Sequence, residues 1–136
     1  PEIEQALSTG SNGSSIGNAS VLFTPHLAPM NRGILATCYG RVKGELDTDA
    51  ALQILTEAYS GMPFIVVSEK SPTTKSTFGS NAAHLTARVD PRTGLLVSFC
   101  AIDNLGKGAS GQAVQCANIV LGLDESDGLS AIGISP

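Results

Sequence analysis

The chain has 136 residues, of which 42% are hydrophobic and 15% charged, and its formal net charge is −4. This length supports one hydrophobic core but no second full domain. The low charged fraction suggests an additional buried face, such as an interface with a partner. The negative charge and the scattered Lys and Arg residues argue against binding to nucleic acid. No apolar run approaches the ~20 residues that span a bilayer, and no signal peptide is recognisable, so we expect a cytoplasmic protein without a membrane partner.

The three cysteines predict free thiols. Cys38, Cys100 and Cys116 are widely spaced, form no Cys-x-x-Cys pair and lie in apolar segments. This usage indicates buried thiols in a reducing compartment. None of them stands beside a histidine, at a helix start or near a cluster of cations, the settings that activate a thiol. We therefore expect none of them to be a nucleophile.

The first elements predicted are a helix, a loop and a short strand. Pro1 followed by Glu2 and Glu4 is a favourable helix start, because proline lacks only an N–H that would be unpaired there. A helix that opens at the first residue suggests that the sequence is cut from a longer one. Residues 8–20 are rich in Gly, Ser and Asn and are predicted to form a flexible loop. Residues 21–23 favour a short strand.

A strand and a helix are predicted in the middle of the chain. Apolar and polar residues alternate over residues 33–43, which predicts a long strand. A helix is expected to begin at Asp47 or Thr48, either of which can cap it, and to close at Gly61. Its apolar residues recur at three- and four-residue spacing; they are Ala51, Leu52, Leu55, Ala58 and Tyr59.

The second half of the sequence favours further strands. Residues 64–67 are a short apolar strand, and residues 71–78 are predicted to form a loop because they are rich in Ser and Thr and contain a proline. Residues 84–90 and 95–102 are expected to pair as an antiparallel hairpin. The intervening Pro91–Gly94 suits a type I turn followed by a left-handed glycine.

The last predicted helix runs from Gly108 or Ala109 to Leu123, and residues 124–136 are expected to form a surface tail. Directly paired strands with helices on long connections indicate an α+β fold, with a mainly antiparallel or mixed sheet and one layer of helices. The chain should thus form one domain over residues 1–136. The apolar stripe of the last helix is Ala113, Val114, Ala117, Val120 and Leu121.

Glycines cluster between the hairpin and the last helix. The pattern Gly106-x-Gly108-x-x-Gly111 follows a strand and opens a helix, as a dinucleotide-binding fingerprint does. The fingerprint also needs a second parallel strand after the helix, and only 13 residues follow Leu123 without a convincing strand. Two interpretations remain: the glycines and free amides of the helix start border a ligand, or they form a tight strand-to-helix turn.

Two side chains before the first long strand are candidates for catalysis or ligand binding. His26 lies between Pro25 and Pro29, which restrict its backbone, and an imidazole near neutral pH can act as a general acid or base. Arg32 could bind a carboxylate or phosphate through its planar fork. Each could equally be structural. His84 has no candidate partner at a metal-ligand spacing, and we predict no metal site.

Residues 23–37 and 101–115 together resemble N-acetyl-gamma-glutamyl-phosphate reductase. The two segments read Phe-Thr-Pro-His-Leu-Ala-Pro-Met-Asn-Arg-Gly-Ile-Leu-Ala-Thr and Ala-Ile-Asp-Asn-Leu-Gly-Lys-Gly-Ala-Ser-Gly-Gln-Ala-Val-Gln. Residues 1–5, 79–81 and 127–129 follow in family order, so the resemblance covers almost the whole chain. The first segment is the more specific, since the second would also suit aspartate-semialdehyde dehydrogenases.

The resemblance implies a fold like the C-terminal domain of glyceraldehyde-3-phosphate dehydrogenase. It also implies an NADP-dependent reductase of arginine biosynthesis that forms N-acetylglutamate semialdehyde through a thioester on a cysteine. On this mapping His26 is the catalytic histidine and Arg32 a candidate for binding the substrate anion. Asn104, Gly108 and Ala109 would border the cofactor, and the protein would be a homo-oligomer.

The cysteine motif and the Rossmann domain of that family would lie upstream of Pro1. We therefore expect the chain by itself to have neither the nucleophile nor a complete NADP site. Two alternatives remain open: a non-catalytic oligomerisation or ligand-binding module of the same fold, and a fragment of an aspartate-semialdehyde dehydrogenase.

Overall fold

A computed structural model describes residues 2–9 and 17–134 of the chain. Within these residues, one sheet is combined with short helices. The strands are β1 (Ile34–Arg41), β2 (Ile65–Val67), β3 (Ala83–Val89) and β4 (Leu95–Ile102), and the helices are α1 (Glu2–Ser8), α2 (Thr48–Ala58), α3 (Thr74–Thr77) and α4 (Gly111–Leu121), with a π-helical turn at Gly106–Ser110 directly before α4.

The four strands form one mixed sheet in the order β1-β4-β3-β2. β4 runs antiparallel to β1 and β3, and β2 pairs in parallel with β3 at the far edge. This arrangement confirms the predicted α+β class. The register aligns Ile102 at the end of β4 with Ile34 at the start of β1 and Ala83 at the start of β3. Three loops therefore meet at one end of the sheet.

The predicted hairpin is confirmed. β3 and β4 pair in antiparallel, and Asp90 and Leu95 close the turn with a backbone hydrogen bond of 3.0 Å. The Asp90 carboxylate also accepts a hydrogen bond from the Arg92 amide at 2.9 Å. Gly94 has φ +67°, the left-handed conformation for which the sequence predicts a glycine.

α2 also follows its prediction, because Asp47 caps it. The Asp47 carboxylate accepts a hydrogen bond from the Ala50 amide at 2.8 Å, satisfying one of the unpaired donors of the first turn. The helix packs against β3 and β2 and buries Ala51. The Thr48 hydroxyl then accepts from the Val89 amide at 3.0 Å, which ties the start of the helix to the end of β3.

The structure differs from three of the predicted elements. Residues 21–23 form no strand, because no neighbouring strand pairs with them. The predicted loop over residues 71–78 contains α3, capped by the Thr73 hydroxyl, which accepts from the Ser76 amide. The last helix is divided into the π-helical turn and α4, and it ends at Leu121 because Gly122 takes a left-handed conformation.

The N-terminal helix lies close to residues 19–21. The Ser8 hydroxyl accepts a hydrogen bond from the Ala19 amide at 2.9 Å, and the Glu4 carboxylate accepts from the Val21 amide at 3.0 Å. Residues 17–20 carry no regular structure, and Ser8, the first residue of the predicted loop, ends α1. Residues 10–16 of that loop lie outside the described residues.

The buried interior consists mainly of small and polar residues. The apolar stripe of α4 does not join it: Val114, Val120 and Leu121 are 42%, 84% and 71% exposed. That stripe thus faces away from the described core, contrary to the usual meaning of an amphipathic pattern. Within the described part of the chain, no helix has the length and apolar character to cross a bilayer. The buried residues are Ala51, Phe64, Ala82, Ala83, Ala87 and Ala101, with Thr77, Ser80, Asn81, Thr86, Asp103 and Asn118.

We predict that Gly106→Ala destabilises the chain, because a Cβ there would collide with the backbone carbonyl oxygen of Ser80. Overpacking of this kind costs about 1–3 kcal/mol. Gly40→Ala is the matched control, since a Cβ at Gly40 meets open space, and it should change the free energy of unfolding by less than about 0.5 kcal/mol. Urea unfolding measures both; equal midpoints for the two variants would contradict the prediction.

Candidate functional site

The three loops at the end of the sheet converge on Asp103, the residue that follows β4. Its side chain is 0% exposed, and both carboxylate oxygens accept hydrogen bonds. The oxygen Oδ1 accepts from the amides of Leu105 at 2.8 Å and Gly106 at 2.7 Å. Oδ2 accepts from the Gly79 amide at 2.6 Å. The Arg32 Nε lies 3.1 Å from Oδ1 and 3.0 Å from Oδ2. One buried carboxylate thus binds donors from three parts of the chain.

The pKa of Asp103 reflects two opposing influences. Burial alone raises the pKa, because a charged carboxylate is poorly solvated in the interior. The amides of Gly79, Gly106 and Leu105 and the Arg32 side chain lower it, because they bind the ionised form. The hydrogen bonds prevail, and the pKa lies below the ordinary aspartate value. Asp103 is therefore a fixed anion at neutral pH.

Arg32 is held from two sides. Its Nε is bound to Asp103, and its guanidinium carbon lies 5.1 Å from the centre of the Phe78 ring. A guanidinium stacked on an aromatic face gains a cation–π attraction. The side chain nevertheless remains 32% exposed. Nε is only one of the guanidinium donors, so the terminal nitrogens are the groups with which Arg32 could bind an anion. Its predicted substrate role stays a prediction.

Asn104 joins the same two segments through the backbone. Its Oδ1 accepts a hydrogen bond from the Gly33 amide at 2.7 Å. Gly33 has φ +105°, and a Cβ at this position would collide with the side chain of Thr74, so a glycine is required. The Asn104 amide nitrogen has no partner among the described residues, which leaves two N–H donors for a ligand.

His26 lies apart from this buried cluster. It belongs to the exposed stretch between Leu22 and Met30, and within the described residues its side chain makes no hydrogen bond or ion pair. The chain from His26 to Gly33 is bound to the rest of the fold at Arg32 and Gly33, and the Thr74 hydroxyl donates to the sulfur of Met30 at 4.0 Å. The structure therefore brings together the segments of Arg32 and Asn104, but among the described residues it shows no hydrogen bond or ion pair from His26 to either.

The glycine pattern serves internal packing. A Cβ at Gly106 would meet the Ser80 carbonyl, and one at Gly111 would meet the Asn81 side chain and the Gly106 backbone. The amides at this helix start are also largely engaged, since those of Leu105 and Gly106 bind Asp103 Oδ1 and that of Gly108 donates to the Asp103 carbonyl at 2.9 Å. The interpretation as a tight turn is correct for these groups, and the expectation of free amides is wrong for them.

Gly108 and Ala109 are exposed in the π-helical turn, as is Ser110. π-helical turns interrupt regular helices and are frequent at functional sites. The predicted cofactor role of these two residues stays a prediction.

A second polar network connects the π-helical turn to α4 and to the segment before β3. Gln115 Oε1 accepts hydrogen bonds from Lys107 Nζ at 2.6 Å and from Asn81 Nδ2 at 3.0 Å, and Gln115 Nε2 donates to Glu125 at 2.8 Å. Burial lowers the pKa of Lys107, and the nearby Cys116 and Glu125 oppose this effect. The network fixes the start of α4 against the segment that leads into β3.

The cysteine predictions need correction. Cys38 and Cys116 are exposed, because they lie on the edge strand β1 and on the uncovered face of α4, and only Cys100 is half-buried. Burial raises the pKa of Cys100, with a further contribution from Cys38. His84 is half-buried in β3, where burial lowers its pKa. Within residues 2–9 and 17–134, no three His, Cys, Asp or Glu side chains are grouped to hold a metal ion.

Asp103 is the residue that the sequence reasoning missed. A usable signal was present, because an aspartate at a strand end, followed by Asn-x-Gly, is typical of a side chain that accepts from amides two and three residues later. The donors from Arg32 and Gly79 could not be foreseen, since they lie 71 and 24 residues away.

The fold and the sequence are those of a semialdehyde dehydrogenase dimerisation domain. The sequence profile of the family "Semialdehyde dehydrogenase, dimerisation domain" matches residues 1–104, so the chain belongs to this family. The crystal structure of aspartate semialdehyde dehydrogenase II from Vibrio cholerae, complexed with ASA, is similar over 66% of this chain and 27% of its own, with a TM-score of 0.51 and 18% identity. That likeness supports the fold.

The particular relatives are N-acetyl-gamma-glutamyl-phosphate reductases. The chain is 50% identical to the reductase of Frankia casuarinae, 49% to that of Thermoanaerobacter sp. and 45% to that of Bradyrhizobium sp. (strain ORS 278), in each case over 100% of this chain. It spans only 39%, 39% and 40% of these proteins. The chain thus corresponds to about two fifths of a reductase of this kind.

We predict that Asp103→Asn lowers the free energy of unfolding at neutral pH by on the order of 3 kcal/mol, because it removes the anion that compensates Arg32 and three amides. The folded-state pKa of Asp103 is lowered, so this stabilisation is present above the ordinary aspartate pKa of about 3.9 and is lost as the pH falls through the folded-state pKa.

The difference in stability between wild type and Asp103→Asn should therefore shrink as the pH is lowered below about 4. Denaturant unfolding at several pH values measures it. Glu45→Gln, which changes an exposed carboxylate, is the control and should show no comparable loss. A difference that stays constant down to the acid limit would rule out the charge of Asp103 as its cause.

Proposed function

We propose that the polypeptide to which this chain belongs is an NADP-dependent N-acetyl-gamma-glutamyl-phosphate reductase of arginine biosynthesis. The observation that carries the proposal is the agreement between the relatives and the geometry. The relatives at 45–50% identity are reductases of this name. The two segments that resemble the family, around Arg32 and Asn104, are bound to each other in the structure.

Asn104 and the π-helical turn are suitable to border a nicotinamide. The amide nitrogen of Asn104 offers two donors that no described residue occupies, which suits a carboxamide oxygen. Gly108 and Ala109 lie exposed beside it in sequence and could line the edge of the ring. NADPH, when bound, would supply the hydride. The remaining walls of the cofactor site would come from the rest of the reductase.

The chain's own residues would then have separate tasks. Arg32 would bind the substrate anion through its terminal guanidinium nitrogens while Nε stays on Asp103. His26 would act as a general acid or base, by taking the proton of the nucleophilic thiol or protonating the oxygen that develops at the carbonyl. Its exposure leaves it accessible to substrate and to the remainder of the protein.

The cysteine nucleophile is proposed to lie outside this chain. Cys100 is a poor candidate because burial raises its thiol pKa and so disfavours the reactive thiolate. Cys38 and Cys116 lie on β1 and α4, and neither has a histidine partner among the described residues. We further propose a cytoplasmic homo-oligomer. The family description and the exposed apolar side chains of edge strand β1, Leu35 and Tyr39 among them, support it.

Replacement of His26 tests the catalytic role. In the full-length reductase, His26→Gln should lower kcat by about 10²- to 10⁴-fold, the usual contribution of a general acid or base. The assay follows NADPH formation from N-acetylglutamate semialdehyde, phosphate and NADP. His84→Gln is the control, because His84 lies within β3, and it should retain the wild-type rate. A fully active His26→Gln enzyme would remove His26 from the mechanism.

The incomplete site has its own test. The isolated 136-residue chain should show no turnover in the same assay, and the full-length enzyme should show it under identical conditions. Turnover by the isolated chain would place the nucleophile within it, and a systematic Cys→Ser series at positions 38, 100 and 116 would then identify the residue.

A further inference from the structure

We propose that Asp103 is a positioning residue of the reductase, which sets the substrate segment and the cofactor segment relative to each other. The substrate segment is defined as residues 24–33, which include His26 and Arg32, and the cofactor segment as residues 104–110. The inference rests on the proposed function and adds a residue that the proposed function does not use.

The donors around Asp103 occupy the hydrogen-bonding capacity of its carboxylate. An ionised carboxylate has about four lone-pair positions, and the donors from Arg32, Gly79, Leu105 and Gly106 match that number. With a side chain that is 0% exposed, Asp103 has no surface with which to contact substrate or cofactor. It can therefore influence the reaction only through the groups that it holds.

The position of the substrate segment depends on the bonds to Asp103 and its neighbour Asn104. Residues 24–30 are exposed and belong to no strand or helix. On the side that leads into β1, the segment is fixed by Arg32 on Asp103, by the Gly33 amide on Asn104 and by the Phe78 ring against Arg32. A weaker hydrogen bond of 4.0 Å from the Thr74 hydroxyl reaches the sulfur of Met30. Asp103 and Asn104, which hold Arg32 and Gly33, are the two residues directly after β4. A shift of these two residues therefore moves the substrate segment.

The cofactor segment depends on the same carboxylate. The Leu105 and Gly106 amides turn toward Oδ1, and this bends the chain from β4 directly into the π-helical turn. Asn104 lies between Asp103 and these amides, so the direction of its side chain follows from the same turn. Hydride transfer needs substrate and nicotinamide within a narrow range of distance and angle, and a misplacement of about 1 Å can cost 10²-fold in rate.

The first measurement is kinetic and uses the full-length reductase with NADP, phosphate and N-acetylglutamate semialdehyde. Asp103→Asn keeps the shape of the side chain and should lower kcat by about 100-fold. Asn118→Ser is the control for lost stability alone. Asn118 is buried and donates to the carbonyls of Glu125 and Asp127, remote from Asp103 in these contacts. It should keep kcat within about twofold when assayed below its unfolding temperature.

The second measurement tests the coupling to Arg32. If Asp103 acts by holding Arg32, the loss in kcat of Arg32→Ala combined with Asp103→Asn should be clearly smaller than the product of the two single losses, since contacting residues are not additive. Independent, multiplicative losses would overturn the proposed link, as would a wild-type kcat in Asp103→Asn.

The third measurement needs no turnover. Amide hydrogen exchange of the full-length protein should show lost protection at Gly33, Leu105 and Gly106 in Asp103→Asn but not in Asn118→Ser. Unchanged protection at Gly33 would overturn the positioning role. If the wild-type protein shows no reductase activity, the proposed function fails, and the exchange pattern still decides separately whether Asp103 orders both segments.

Discussion

A carboxylate without solvent contact has to be compensated by donors from the protein, and at Asp103 those donors come from loops that are distant in sequence. Arg32 precedes β1, Gly79 precedes β3, and Leu105 and Gly106 follow β4. Removal of the charge would weaken the acceptor of four donors at once, which costs more than the loss of any one of these bonds. The three loops at this end of the sheet are therefore held in the arrangement that brings their donors to Asp103.

The composition of the interior is consistent with this constraint. The buried apolar residues are five alanines and Phe64, while the buried polar group includes Thr77, Ser80 and Asn81 as well as Asp103. Small side chains let backbones approach closely, so that amides and carbonyls can satisfy each other at short range. The larger apolar side chains of β1 and α4 remain on the surface. A family member that corresponds to two fifths of its relatives can use such surfaces for contacts that its own core does not provide.

Much of the fold was predictable because its signals are local. The hairpin over residues 84–102 was predicted from two strand segments joined by a turn with glycine at the left-handed position, and α2 from its cap and apolar spacing. Failures occurred where pairing or packing decides. Residues 21–23 have strand propensity but no neighbouring strand, and the stripe of α4 has helical spacing but no covering layer. Local propensity indicates which structure a segment can adopt. Whether the segment adopts that structure, or buries its apolar face, depends on a neighbouring element to pair or pack with.

The sequence by itself determined the class of the fold and, through residues 23–37 and 101–115, the family to which the chain belongs. It also indicated Arg32 and Asn104 as residues of interest. Only the tertiary structure decided that these two segments are bound to each other, that the glycines of the turn serve packing, and that Asp103 lies at the centre. The physical reason is distance along the chain: Arg32 and Asp103 are separated by 71 residues and meet only because β1 and β4 pair in antiparallel register.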